Sequence, residues 1–420
     1  MIDIKLIRDN PEVVFQAMEK RGEARASIDE IIGLDNAFRQ LLQEAEALRA
    51  RRNDVSKQIS RMKEKPADLI AVMRQVGERI SQIEAESNEI AVRLEDKLLR
   101  LPNLPAADVP AGKDSQDNIE VRSWGKPKEF KFTPLPHWEL GEKLGIIDFQ
   151  RGVKLSGTRF YVLKGLGSHL QRALINFMLD LHVHNHGYTE IYPPFMVKRE
   201  CMVGSSNLPK FADNLYHDAE EDYWFIPTAE VPLTNLHRDE IIPPGTLPIY
   251  YAAHTSCFRR EKMAAGKDTR GIKRGHQFEK VEMYKFVEPE TSDEELTRLS
   301  GDAEDICRKL ELPYRVIQLC SGDMGFAAAK TFDIEIWAAG CQEWLEVSSC
   351  SNCGDFQARR ANIRYRPDSE AKPRLVHTLN GSGLALPRVM ISIIENYQQE
   401  DGSILVPGAL RPYMNTGVIK

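Results

Sequence analysis

Arg259 and Glu261 stand at the end of one β-like run, and Phe278, Lys280 and Glu282 lie along the next, with a loop rich in Lys, Arg and Gly between them. Side chains alternate along a strand, so Arg259 and Glu261 are expected on one face, and Phe278, Lys280 and Glu282 on one face of the return strand. Pointed into one cleft, that set offers a guanidinium, two carboxylates and an aromatic plate. A purine nucleoside triphosphate suits it. Arg pairs with phosphate through two parallel charge-assisted bonds, and a phenyl ring stacks on a base for about 1–3 kcal/mol. Lys262, Lys267, Arg270, Lys273 and Arg274, set among Gly266, Gly271 and Gly275, add cations for phosphates or for a second polyanion. A merely solvated hairpin would leave the placement of Glu261 and Glu282 unexplained. No GxxxxGK[ST] loop occurs, and no GxGxxG opens a strand–helix unit, so neither common nucleotide fold is in use.

The elements that must hold this hairpin belong to a chain of 420 residues, long enough for two domains. Hydrophobic content of 42% and charged content of 28% describe an ordinary globular protein. No apolar run approaches the roughly 18 residues that span a bilayer, and the first ten residues carry charges in place of a signal-peptide core. Seven cysteines, an odd number, point to reduced thiols and a cytoplasmic setting. The net charge of −6 means that any polyanion must be met by local basic patches.

One such patch lies near the N-terminus. Leu34, Leu41, Leu48, Val55 and Met62 recur every seven residues, with Phe38, Ala45 and Ile59 in the second seam position and Arg52 interrupting it. After Pro66 the pattern resumes with Leu69, Val76, Ile83 and Ile90, accompanied by Met73, Ile80, Leu94 and Leu101. Two seams joined by a turn around Lys63–Pro66 predict an antiparallel helical hairpin that projects as an arm. Upstream, Asn10 and Pro11 form a helix start. From Leu48 to Lys65 the arm carries Arg49, Arg51, Arg52, Lys57, Arg61, Lys63 and Lys65 against Asp54 and Glu64. A charge run is usually a solvated face, but a basic tip on an acidic protein also suits a phosphate backbone.

The stretch LPNLPAADVPAGKDSQDN from Leu101 reads as a linker that ends the arm. The domains expected are therefore residues 1–104, the arm, and 105–420, the domain with the hairpin. Beyond the linker, helices are expected over Leu163–His184 and Leu384–Gln399, and strands at Tyr223–Ile226, Thr255–Arg260, Phe278–Val287 and Trp344–Ser348. There is no βαβ rhythm, so the fold class is α+β, with helices packed on an antiparallel sheet.

Phe258–Glu261 (FRRE) followed by His276–Glu282 (HQFEKVE) resembles motif 2 of the class II aminoacyl-tRNA synthetases. Gly187-Tyr188 leading to Ile191 and Pro194-Phe195 resembles motif 1, which shapes the dimer interface in that class, and Gly381–Arg388 (GSGLALPR) is similar to motif 3. With PTAE at Pro227–Glu230, EVSSCSNCGDFQARR from Glu346 and the basic arm, the whole chain resembles the bacterial-type seryl-tRNA synthetases. Each short motif is weak alone, and the ordered set is specific.

The resemblance implies a serine–tRNA ligase that activates serine with ATP and then loads tRNA(Ser), and also tRNA(Sec) where that tRNA exists. It implies that Arg259 holds the α-phosphate, Glu261 reads the adenine amino group, and Phe278 and Arg388 sandwich the ring, with Arg260, Val347 and Ser348 completing the ATP site. Glu346 and Ser349 are implied as Mg²⁺ ligands, although strict alternation puts them on opposite faces and demands a bulge. Thr228, Ala229, Glu230, Glu282 and Ser382 are the implied serine site, and Arg259, Glu282 and Arg388 the catalytic set. Carboxylates and hydroxyls with little apolar surface suit an α-ammonium and a hydroxyl. On the arm, Arg49, Arg52, Lys57 and Arg61 are the candidate tRNA contacts. A homodimer is implied too.

Other signals are weaker. Cys350-x-x-Cys353 lacks a second pair at matching spacing; Cys320 and Cys341 could in principle complete a tetrahedral set, but nothing in the spacing favours that, and no zinc is expected. His182, His184 and His186 read as a helix end with solvated rings. Lys267 stands where the family often has Arg, which weakens a bidentate contact. Two other readings fit part of the chain: an amino-acid activator that loads a carrier protein, and a coiled-coil RNA-binding protein on an inactive synthetase scaffold. The arm argues against the first, and intact Arg259, Glu261, Glu346 and Arg388 against the second.

Overall fold

The computed structural model describes residues 1–62, 66–262 and 270–420. The predicted turn at Lys63–Lys65, and Gly266 and Lys267 of the hairpin loop, lie outside the described residues. The chain divides into two compact units, Ile2–Leu101 and Pro102–Lys420, with Met1 grouped with the second.

In the first unit, α1 (Ile4–Asp9) and α2 (Pro11–Lys20) precede two long helices, α3 (Arg25–Arg61) and α4 (Ala67–Arg100). Pro11 starts α2 at the first helical position, where its missing N–H costs nothing. The seams bury Leu34 and Ala45 on α3 against Val76, Ile80, Ile83 and Leu94 on α4. Burial thins along α3, and Met62, expected in the seam, is 46% exposed just beyond the helix end. Ser87 occupies a seam position and stays buried by giving its hydroxyl proton to the Glu84 carbonyl at 3.0 Å. Ion pairs Arg49–Glu84 at 2.7 Å, Arg79–Glu44 at 2.9 Å and Lys97–Glu30 at 2.8 Å cross between the helices. Being exposed, each contributes little, but together they favour this antiparallel register.

The second unit is built on an eight-stranded sheet. In chain order its strands are β1 (Ile119–Trp124), β2 (Thr189–Glu190), β3 (Ile249–Phe258), β4 (Gln277–Val287), β5 (Tyr314–Gln318), β6 (Lys330–Ala338), β7 (Glu343–Asn352) and β8 (His377–Ala385). Their spatial order is β1-β5-β6-β7-β8-β4-β3-β2, antiparallel throughout except for the parallel β2–β3 edge. The expected strand at Tyr223–Ile226 spans Tyr223–Phe225 and pairs outside this sheet with Met196–Lys198. Helices α5 (His137–Lys143), α6 (Leu166–Asn185), α7 (Glu230–Asn235), α8 (Ser292–Lys309), α9 (Phe356–Ala361) and α10 (Leu386–Asn396) pack with the sheet. Leu170, Leu174, Met178, Val281, Met283, Ile334, Leu379, Val389 and Ile393 share one core from α6, α10 and the central strands.

The C-terminal helix starts later than expected, because Gly381–Ala385 continue β8 and Pro387 opens α10. The histidines at the end of α6 differ from expectation. His184 is exposed, but His182 is buried, 3.0 Å from His186 through their Nδ1 atoms and 3.1 Å from the Gly383 carbonyl through Nε2. Residues four apart share a helix face, and this face points inward. Burial, and then the neighbouring His186, bring the His182 pKa down to about 3, so its ring stays neutral. The linker is no loose tether either: Asn103 Nδ2 donates to the carbonyls of Ala327 at 2.9 Å and Cys353 at 2.8 Å. Among the described residues, no helix is long and apolar enough to cross a membrane.

Candidate active site

One cavity of about 420 Å³ opens on the sheet, lined from β4, β7, β8, the first turn of α10 and the hairpin loop. Strands β3 and β4 pair from Ile249↔Phe286 to Phe258↔Gln277. There β3 ends, two residues short of the expected Arg260. Arg259 N–H bonds the His276 carbonyl at 2.9 Å, and Arg260 N–H turns to the Asn214 carbonyl at 3.0 Å. Glu261 then takes φ +47°, a left-handed turn that carries its carboxylate back to the cavity. Arg259 and Glu261 thus meet in one site through a turn, where strand alternation had been expected. Arg260 does not join them, and its guanidinium lies 5.8 Å from the Tyr216 ring centre. On β4 the alternation holds, and Phe278, Lys280 and Glu282 all line the cavity.

The required bulge is present on β7. Ser348 pairs with Ile334 and Glu346 with Glu335, leaving Val347 as the extra residue. The shift turns Glu346 and Ser349 into the same cavity. Ser348 goes the other way, buried, giving its proton to the Ser382 carbonyl at 2.6 Å. Arg388, on the first turn of α10, donates to the Glu346 carbonyl at 2.6 Å and sits 3.3 Å from its carboxylate. Burial pushes the Glu346 pKa up, but Arg388 and Arg259 outweigh it and hold the carboxylate below its usual range. Opposite Ser349, Asp333 keeps one buried carboxylate oxygen without a hydrogen bond, and burial, with Glu346 nearby, raises its pKa well above normal. Arg259 lies 5.1 Å over the Phe278 ring.

Deeper in the cavity, Thr228 Oγ1 accepts from Lys280 Nζ at 2.8 Å and donates to Glu282 at 3.1 Å, while Lys280 also pairs with Glu282. Glu230 accepts from Gln357 Nε2 at 2.6 Å and Asn380 Nδ2 at 3.2 Å. Burial, and then the charge of Glu282, raise the Glu230 pKa to about 7. Ser382 closes this polar end. Ala229 does not line it; it is buried with Leu233 and Tyr284 in a separate apolar cluster. Asn380 carries a sequence signal, two residues before Ser382 on the same strand face. Gln357, on the short helix α9, had none. Cys350 and Cys353 are buried beside these elements, and burial first of all raises both thiols, Cys350 to about 12, so neither is poised as a thiolate.

The comparisons with known proteins follow this division. Residues 1–105 match the seryl-tRNA synthetase N-terminal domain, and residues 211–397 the tRNA synthetase class II core domain (G, H, P, S and T). The serine–tRNA ligase of Thermomicrobium roseum is 61% identical over 99% of this chain and 93% of its own. The chain belongs to the seryl-tRNA synthetase family. A serine–tRNA ligase of Dehalococcoides mccartyi is 60% identical over the full length of both chains. The seryl-tRNA synthetase of Pyrococcus horikoshii, solved with ATP, is 41% identical with a TM-score of 0.95, covering 100% of this chain and 99% of its own. The family's activity, serine–tRNA ligation by a class II synthetase, is this chain's activity.

Proposed function

We propose that the cavity holds ATP at its Arg259–Phe278–Arg388 end and serine at its Thr228–Glu282 end, with the two meeting at the α-phosphate. The convergence of Arg259, Glu261, Phe278, Glu346, Arg388, Thr228, Glu230 and Ser382 on one cavity carries this reading. Arg259 lies against the Phe278 face, so a base stacked on that ring leaves the guanidinium free for a phosphate. Arg388 offers a second cationic plane, Glu261 reads the adenine amino group, and Glu230 accepts the serine ammonium. Glu282 and Ser382 hold the serine hydroxyl. The serine carboxylate attacks the α-phosphorus in line and pyrophosphate leaves; seryl-adenylate stays until the terminal ribose hydroxyl of tRNA, giving up its proton, attacks the acyl carbon and AMP leaves. No side chain acts as nucleophile, so catalysis is placement plus charge neutralisation by Arg259 and the loop cations.

Glu346 and Ser349 fit a hard divalent cation, since both offer oxygen to the same space and Ser349 pairs across the strands with Asp333, which keeps an orphan oxygen. Mg²⁺ bound there would neutralise phosphate charge. The arm is proposed to bind tRNA(Ser), and tRNA(Sec) where present, through Arg52, Lys57 and Arg61, which are exposed, and Arg49, which also pairs with Glu84. The domain boundary is proposed at 104/105, one residue short of the end of the N-terminal family match at 105. A cytoplasmic setting is supported by seven free cysteines. Homodimerisation is supported by Tyr192 and Met196, large apolar side chains beyond edge strand β2 that are 84% and 52% exposed.

The deciding experiment is ATP–pyrophosphate exchange with each of the twenty amino acids, followed by transfer to tRNA. Serine alone should support exchange. Exchange with serine but no transfer to tRNA would leave only the activation half of the proposal standing.

A further inference from the structure

Outside the cavity, three groups meet in the interior: His137 at the start of α5, Cys341 in the turn between β6 and β7, and Glu395 in the last turn of α10. Their ligand atoms lie within 4.8 Å of one another, a spacing that also suits a metal ion. The hydrogen bonds show a different use. Glu395 is fully buried and accepts from the backbone N–H groups of His137, Gly340 and Cys341 at 2.8–2.9 Å, from the Cys341 thiol at 3.0 Å and from His137 Nδ1 at 2.8 Å. The remaining imidazole nitrogen, Nε2, accepts from the Ile272 N–H at 3.2 Å. An amide N–H can only donate, so Nε2 carries no proton and Nδ1–H points to Glu395. Every atom that would face a cation already has a partner.

Ile272 sits in the return limb of the hairpin loop, and the limb is fitted to the imidazole. Gly271 has φ +74°, and a Cβ there would lie 2.0 Å from His137 Nε2. Only glycine permits that approach. The next residues, Lys273 and Arg274, line the large cavity, with Lys273 Nζ 2.8 Å from Glu343 and Arg274 3.5 Å from Glu261. The helix that supplies Glu395 also supplies Arg388 at its other end. One helix therefore touches the cavity directly through Arg388 and the loop indirectly through Glu395 and His137.

We propose that His137, oriented by Glu395, is a positioning residue that docks the return limb of the loop, Gly271–Arg274, so that Lys273 and Arg274 are presented to the triphosphate of ATP. It touches no substrate. A buried carboxylate with five donors is a rigid post, and a loop tethered to it by one backbone bond has its cations placed before ATP arrives, so binding bears less ordering cost. The inference rests on the placement of ATP proposed above.

The test compares the unaltered chain with His137→Phe and His137→Gln in serine-dependent pyrophosphate exchange, with hydrogen exchange of the 270–276 segment as a second readout. His137→Phe should raise KM for ATP about tenfold, keep KM for serine within about twofold, and speed amide exchange in that segment while β4 and β8 stay protected. His137→Gln, whose amide can still accept from Ile272, should recover most of the loss. Equal changes in both KM values, an unchanged KM for ATP, or no recovery with Gln would each overturn the proposal. Glu395→Gln, which keeps the group's shape, is read by the same criteria if the Phe variant does not fold. If the unaltered chain shows no ATP-dependent exchange, the ATP assignment itself fails, and that result is distinct from a normal wild-type rate with an indifferent His137.

Discussion

Thr228 Oγ1 donates a hydrogen bond to Glu282 across 3.1 Å and accepts one from Lys280 Nζ at 2.8 Å. The end of the cavity proposed for serine is therefore held by hydrogen bonds among its own side chains. A ligand lacking a hydroxyl leaves buried polar groups short of a partner, so alanine should be rejected by as much as about 10⁴-fold in kcat/KM. Thr228→Val removes the shared hydroxyl and should cut the serine-to-alanine ratio by about tenfold or more, measured in pyrophosphate exchange. An unchanged ratio would detach this hydrogen-bond chain from amino-acid choice.

Glu230, raised to about 7 by burial and by Glu282, should make serine binding depend on pH. The raised carboxyl is protonated below that value and ionised above it, and on the placement proposed for serine only the ionised form attracts its ammonium, which itself stays protonated through pH 8. KM for serine should therefore fall about tenfold between pH 6 and pH 8. Glu230→Gln should bind serine weakly and with a flat profile over the same range. A profile in the variant as steep as in the unaltered chain would assign the pH dependence elsewhere.

Removal of residues 28–101 should leave serine-dependent exchange nearly intact, since none of the cavity residues lies there, while tRNA charging falls by orders of magnitude. Charge reversal at Arg52 and Lys57 should weaken tRNA binding at all sequences and flatten its salt dependence by about one unit of log–log slope per lost phosphate contact. Arg49 is tied to Glu84, so its reversal should also cost a little thermal stability. Unchanged charging by the shortened chain would rule the arm out as the tRNA grip.

The purified chain should sediment as two copies of the 47.7 kDa polypeptide. Tyr192→Asp, at the exposed residue beyond edge strand β2, should shift the population to single chains at low micromolar concentration. A monomer for the unaltered chain at all concentrations would refute the dimer.

Much of this protein is local and therefore readable along the chain. The seven-residue repeat pairs α3 with α4 as a hairpin, and the two-residue repeat of Phe278, Lys280 and Glu282 sends all three to one face of β4. The ordered motifs named Arg259, Glu261, Phe278, Glu282, Glu346 and Arg388, which the structure brings to one cavity. What the tertiary structure decided depends on neighbours distant in sequence. The bulge at Val347 is set by register against β6, and it aims Glu346 and Ser349 inward and Ser348 away. Glu261 reaches the cavity because its backbone turns left-handed once β3 has ended. Gln357 and Asn380 converge on Glu230 from positions 127 and 150 residues away, and Glu395 meets His137 across 258. Period and composition determine which face of an element is apolar; which partner completes a buried polar group is settled only when separate elements pack, because a carboxylate left alone in that interior would be too costly to keep.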